Sequence, residues 1–209
     1  MPASSCYSMM GLKDEYAVIF FLYFATMNTQ SENIVVILHT LLYVLKKLGG
    51  TADFHKVFKI LYFADQKHLV RYGSPICDDT YISMTNGPVP STAYDILKSL
   101  RGQGLLNTQK DQFEPYFELT TNPFTVKAKV DADLDYLSAS EISCIDESVA
   151  ENAPLSFHEL TEKSHDSAWE KGGESGEMDI LDVAAAGGAK QAMLDYIEDT
   201  LENLNAQFE

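Results

Sequence analysis

The chain has 209 residues, 45% of them hydrophobic and 22% charged, and a formal net charge of −16. That is enough apolar material for one domain with a sizeable core and an appendage, and an acidic surface finds its natural counterpart in a basic partner. The three cysteines, Cys6, Cys77 and Cys144, are scattered without paired spacing, which argues against a disulfide framework or a zinc site and fits a reducing cytosol.

The charge is not evenly spread. Up to Val130 there are 12 Lys and Arg against 11 Asp and Glu; from Asp131 onward there are 3 against 20, so the second part carries −17. The plain reading of such a region is a solvated surface, and the functional one is attraction of a basic protein.

Residues 16–25 form a ten-residue apolar run, too short for a membrane span. Lys13 is offset by Asp14 and Glu15, which does not suit a signal peptide. Met27 follows directly, with Asn28, Thr29, Gln30 and Ser31 as a polar lead into a helix. The expectation is a native start at Met27, with residues 1–26 an N-terminal extension.

Ile34 to Leu48 is apolar almost all round, so this helix should be buried on most sides. A second helix is expected from near Thr51–Phe54 to about Arg71. Its Phe54, Val57, Phe58 and Leu61 recur at helical spacing as a core stripe that Asp65, His68 and Tyr72 continue. Asp65 and His68, three residues apart, are placed to touch. They read either as a polar site or as a structural pair that locks the helix against the stretch that follows.

That stretch runs from Asp79 to Leu97. Tyr81, Ser83 and Thr85 alternate with Ile82 and Met84, as in a short strand. Asn86-Gly87 permits a sharp turn, and Pro88 and Pro90 stiffen Gly87 to Pro90 into an elbow. Thr92 and Asp95 match a capping box for a helix whose apolar face is Ala93, Ile96, Leu97 and Leu100. The adjacent acids Asp78-Asp79 read as solvated. Tyr116–Thr120 and Phe124–Val130 are strand candidates around an Asn122-Pro123 turn. Helix, helix, strand, helix, hairpin is also the order of a winged helix.

The rest reads as helical. Ser138-x-x-Glu141 and Ser156-x-x-Glu159 are capping boxes. Trp169, the sole tryptophan, is expected to anchor packing against the elbow. Gly172 to Gly176 reads as a flexible break. A final acidic helix from about Ala189 to Asn205 has Met193, Ile197, Leu201 and Leu204 on its apolar face.

Three blocks together carry a family likeness. Lys59-Ile60-Leu61-Tyr62-Phe63-Ala64-Asp65 precedes His68-Leu69 and Tyr72-Gly73. Tyr81 is followed by Gly87-Pro88-Val89-Pro90-Ser91 and Tyr94-Asp95. His165-Asp166-Ser167-Ala168-Trp169 closes the set. In order and spacing this resembles the Panacea domain family, which includes SocA-like antitoxins and phage-associated GepA-type proteins. The resemblance implies an antitoxin of a bacterial or prophage toxin–antitoxin pair that neutralises its toxin by direct binding, in some members as an adaptor to a protease. The signature positions it marks, as partner-binding or structural, are Asp65, His68, Tyr81, Gly87, Pro88, Val89, Pro90, Tyr94, His165 and Trp169.

Chemistry-bearing motifs are scarce. The sequence holds no Gly-rich phosphate loop, no Cys-x-x-Cys and no nucleophile elbow, and its five histidines lack metal spacing. The expected architecture is a mainly helical α+β domain with a small antiparallel sheet or hairpin, winged-helix-like in order. Its divisions are the extension (1–26), a Panacea-like domain (27–170) and an acidic C-terminal linker and helix (171–209). The expected activity is cytoplasmic protein binding, with a basic toxin as partner, without catalysis, cofactor, metal or membrane. One alternative is a winged-helix DNA binder reading with Ser91–Arg101, disfavoured because that helix offers only Lys98 and Arg101. A second is an enzyme built on Asp65, His68 and Tyr81.

Overall fold

A helix whose middle turns, Val57 to Gln66, are buried on every side organises the chain. The structure, a computed structural model, describes residues 33–206; the apolar run at 16–25 and the expected start at Met27 lie outside the described residues. Helix α1 spans 33–47, and its Ile37, Leu41, Leu42, Val44 and Leu45 are fully buried. Thr51–Asp53 is not the first turn of the second helix but a strand, β1. Asp53 sits in extended backbone and its carboxylate accepts from the Lys56 amide at 2.8 Å, so an N-cap fixes the junction between strand and helix. Helix α2 (Phe54–Tyr72) then runs through the molecule, packed against Gly87–Pro90, Ala139–Asn152, Phe157–Ser164 and Ile180–Ala186.

The Pro-rich stretch is a hairpin. Strand β2 (Tyr81–Met84) pairs antiparallel with β3 (Gly87–Pro90), Tyr81 opposite Pro90 and Met84 opposite Gly87. The expected elbow is therefore itself a strand. A strand with two prolines cannot donate a full ladder, so it suits an edge. Here β3 turns its free side to α2. The turn is Thr85-Asn86, and the left-handed conformation falls on Gly87 (φ 92°) and not on Asn86.

Helix α3 (Ser91–Ser99) begins one residue before the expected Thr92 cap, and Pro90 at its N-cap offers no side-chain bond. Asp79 caps it instead, from the other strand's approach, accepting from the Thr92 and Ala93 amides at 2.9 Å each. Asp95, expected in a capping box, pairs with Lys98 at 3.1 Å. A local motif lost to a tertiary one because the hairpin carries Asp79 to the helix start.

A short helix α4 (Lys110–Phe113) leads to β4 (Phe117–Leu119) and β5 (Thr125–Ala128). With β1 they form an antiparallel sheet of order β1-β5-β4. Among the described residues the chain is thus mainly helical α+β, with winged-helix element order and the β2–β3 hairpin added before α3. Helices α5 (Ala139–Asn152) and α6 (Phe157–Ser164) open on the expected capping boxes at Ser138/Glu141 and Ser156/Glu159. Then come α7 (Ser167–Gly172), α8 (Ile180–Ala186) and α9 (Gln191–Ala206).

The glycine segment expected as a flexible break is bound to β2. The Ser83 amide donates to Gly176, the Ser175 amide to Ser83 and the Met178 amide to Tyr81, at 2.8–2.9 Å, and Glu177 bridges Ile82. Without side chains, its glycines can lie flat along the open edge of the hairpin. α2 separates two apolar clusters. One holds α1, α3 and α5; the other gathers Tyr62, Phe63, Leu69 and Tyr81 with Leu160, Val183 and Ile197.

Two glycines with positive φ separate strain from crowding. Gly102 (φ 69°) has open space around an added Cβ, whereas at Gly87 a Cβ would fall on Ser164 Oγ and 2.7 Å from Lys59 Nζ. Gly102→Ala is expected to cost about 1–2 kcal/mol and Gly87→Ala about 3 kcal/mol or more, read as unfolding free energies from denaturant melts.

Candidate functional site

The polar residues of α2 each reach a different part of the chain. The Lys59 side chain is fully buried, and its ammonium donates to the Pro88 carbonyl at 2.7 Å. One and two turns on, the Tyr62 hydroxyl and the Gln66 amide donate to the Asp166 carboxylate at 2.9 and 2.8 Å. That carboxylate also caps α7 through the Ala168 and Trp169 amides. Asp65, only 2% exposed, accepts from the Tyr81 hydroxyl at 2.5 Å and the Ile76 amide at 2.7 Å. His68 donates from Nδ1 to the Ser74 carbonyl at 2.7 Å, which leaves Nε2 facing the Ser140 hydroxyl at 3.2 Å.

The structure therefore joins Asp65 with Tyr81 but does not join Asp65 with His68, although their spacing allows it. Each is drawn to a backbone group that has no other partner nearby. Tyr72, expected to continue the buried stripe, is 49% exposed. Trp169 meets the hairpin as expected: its Nε1 donates to the Met84 carbonyl at 2.9 Å, and its ring stacks on His165 at 3.7 Å. Gly87, Pro88, Val89 and Pro90 form β3 and Tyr94 lies on α3 beside it, its ring edge-on to Phe58. Lys59, Tyr62, Gln66 and Asp166 are not among the site residues expected from sequence. The signal was present, since a lysine inside an apolar helical segment needs a buried acceptor, and all four lie in or next to residues 59–65 and 165–169.

Burial sets the protonation of this network. It pushes the Asp65 carboxyl up to about 6, against the two hydrogen bonds that favour its ionised form. Burial also lowers Lys59 to about 7, with Asp166 acting in the opposite direction. Asp79, expected to be solvated, is likewise raised by burial. The thiol of Cys77 is buried and raised well above its ordinary value, which makes it a poor nucleophile.

Two open clefts flank this network at opposite ends of β2. One, of about 450 Å³, lies between the start of α2, the hairpin turn, the β4–β5 turn and the start of α6. Phe54, Phe58, Tyr94, Phe124 and Phe157 line it, with Phe124 and Phe157 more than half exposed. His55 stacks on Phe157 at 3.9 Å. Burial and the charge on Lys59 hold His55 down at about 4, so it is neutral. The other cleft, of about 350 Å³, lies at the start of β2 beside α8 and α9.

The face that the disfavoured DNA-binding alternative would use is differently made. Lys98 pairs with Asp95 and lies 4.4 Å from the Tyr94 ring centre, and Arg101 lies over Phe124 at 4.7 Å. Both cations of the α3 region are folded back on their own chain. Among the described residues, no helix is long and apolar enough to cross a membrane, and no cluster of three or more His, Cys, Asp or Glu has the arrangement to hold a metal ion.

The network of α2, the hairpin and α7 coincides with a known domain. The family model described as antitoxin SocA-like, Panacea domain, matches residues 57–170. The chain belongs to this family, and its role is of the antitoxin type. Comparison with curated proteins and with solved structures finds no match.

Linkage gives this network a measurable signature. The pKa of Lys59 is lower in the folded than in the unfolded chain, so unfolding takes up a proton between about 7 and the ordinary value of 10.5. The cost of burying the charge is complete below pH 7 and fades as pH rises to 10.5. Wild-type stability should therefore rise relative to Lys59→Met by up to roughly 5 kcal/mol over that window. Asp65 has the opposite sign. Its raised pKa lends stability below 3.8 that is lost as pH rises through about 6. Tyr81→Phe, which removes a donor to that carboxylate, should destabilise by about 1–3 kcal/mol at pH 7. Urea unfolding across pH measures all three.

Proposed function

We propose that this chain is the antitoxin of a toxin–antitoxin pair, acts in the cytoplasm, and neutralises its toxin by direct binding without bond-making chemistry. The observation that carries the reading is the aromatic cleft beside the hairpin. Its exposed Phe124 and Phe157 rise from a rigid frame, and aromatic side chains beside a preformed apolar pocket are the usual anchors of protein interfaces. Because the frame is braced by buried hydrogen bonds, little ordering is left to occur on binding.

Charge supports a basic partner. Asp146, Glu147 and Glu151 of α5 pair with Lys47, Arg71 and Lys67. Glu198, Asp199 and Glu202 on α9 are in none of the ion pairs among the described residues. These outer acids raise the rate of encounter with a cationic toxin. An adaptor role, in which the bound toxin passes to a protease, uses the same docking.

The test begins with the neighbouring open reading frame, which should be lethal alone and rescued by this chain. Phe124→Ala and Phe157→Ala should each weaken co-purification about tenfold to a hundredfold with the fold intact, as hot-spot truncations do. Affinity should fall about tenfold or more between about 50 and 500 mM salt, mainly in the association rate. A neighbour that is harmless, or an affinity indifferent to both aromatics, refutes the reading. Toxin half-life with and without this chain separates the adaptor role from simple blockade.

A further inference from the structure

The second cleft has a chemistry of its own. Its floor and walls are apolar, supplied by Leu69 of α2, Pro75, Leu181 of α8 and Leu201 of α9. Leu201 is 36% exposed, so the last turns of α9 leave apolar surface open over the cleft. Asp78, Asp79, Glu177 and Asp179 also line it, beside the buried Asp65 already bound to Tyr81, and no lysine, arginine or histidine lines it. These acids do not have the arrangement of a metal site. Asp79 is committed to capping α3 and Asp179 lends one oxygen to the Leu181 amide at 2.7 Å. Asp78 and Glu177 are exposed, and neither is in an ion pair among the described residues.

Both free carboxylates stand on anchored backbone. Glu177 bridges Ile82 and is followed by the Met178 amide bonded to the Tyr81 carbonyl at 2.8 Å. The Asp78 carbonyl accepts from the Asn33 side chain at 3.1 Å, and the residue is held at φ 44°. An apolar trough ending in fixed carboxylates complements one kind of group: a long alkyl stem that ends in a cation. Arginine and lysine lay such stems along apolar surface and hold the charged head outside it. The planar guanidinium can also bridge two carboxylates with paired hydrogen bonds.

We propose that the cleft between α8, α9 and the Pro75–Thr80 loop is a docking site for a basic side chain of a protein partner, arginine above all. The stem lies against Leu69, Leu181 and Leu201, and the head group pairs with Asp78 and Glu177. This rests on the reading of the chain as a binder of a basic protein, and it names the contact that would select such a partner. It is separate from the aromatic cleft, which lies at the other end of β2.

The test uses the full chain and a defined probe, acetyl-leucyl-arginine amide. Its neutral isostere, acetyl-leucyl-citrulline amide, is the control. In amide-resolved NMR titrations the arginine peptide should give saturable shifts at Asp78–Tyr81 and Glu177–Leu181 and bind at least tenfold tighter than the citrulline peptide. Asp78→Asn with Glu177→Gln, which preserves side-chain shape, should abolish that preference while leaving the spectrum otherwise folded. Equal binding of the two peptides, or no saturable shift at these amides, overturns the proposal. Shifts there that follow protein concentration instead of peptide mark a second copy as the occupant and also overturn it. If the neighbouring gene product proves harmless while the arginine preference holds, the antitoxin reading fails and the cleft chemistry stands.

Discussion

A carboxylate that is 2% exposed, held by a tyrosine hydroxyl at 2.5 Å and an amide at 2.7 Å, ties the central helix to the hairpin. The constraint behind it is general. Because α2 is buried on all sides from Val57 to Gln66, each polar side chain it carries inward must find a partner or cost several kcal/mol. Lys59 meets Pro88, Tyr62 and Gln66 meet Asp166, Asp65 meets Tyr81, and His68 meets Ser74. No neighbour on α2 itself meets these needs. The hairpin and α7 are consequently held in place by what α2 requires, and Asp79 then carries the same dependence on to α3.

This separates interior from surface. The matched segment, 57–170, contains the buried links almost entirely. The surfaces open to a partner extend beyond it at both ends. Asp53, Phe54 and His55 line the aromatic cleft before it begins. Glu177, Asp179, Leu181 and Leu201 line the acidic cleft after it ends. A fixed frame carrying outward surfaces of independent composition is a physical arrangement in which the partner can change without disturbing the core.

Electrostatics divides in the same way. Part of the acid from Asp131 onward is paired within the molecule. The carboxylates of α5 neutralise cations on α1 and α2, including a two-point contact from Arg71 to Glu147. Such exposed pairs add little stability each. Their effect is to cancel charge beside α5, while Glu198, Asp199 and Glu202 stay outside the ion pairs among the described residues, on the helix whose Leu201 lines the acidic cleft.

Periodicity was enough to read α1, α2, the β2 alternation, both capping boxes and the mainly helical class, because each depends on neighbours within a turn or two. Local chemistry also set Trp169 apart, since an indole seeks both apolar cover and one acceptor. Folding alone decided what those residues touch. Thr92 and Asp95 have the spacing of a cap, yet Asp79 takes the place once the hairpin closes. Asp65 and His68 have the spacing of a pair, yet each finds its partner beyond the end of α2, Asp65 at Ile76 and Tyr81 and His68 at Ser74. Gly172–Gly176 has the composition of a break, yet an open strand edge binds it. In each case the short-range interaction is worth about a kilocalorie, and a buried backbone group in need of a partner outweighs it.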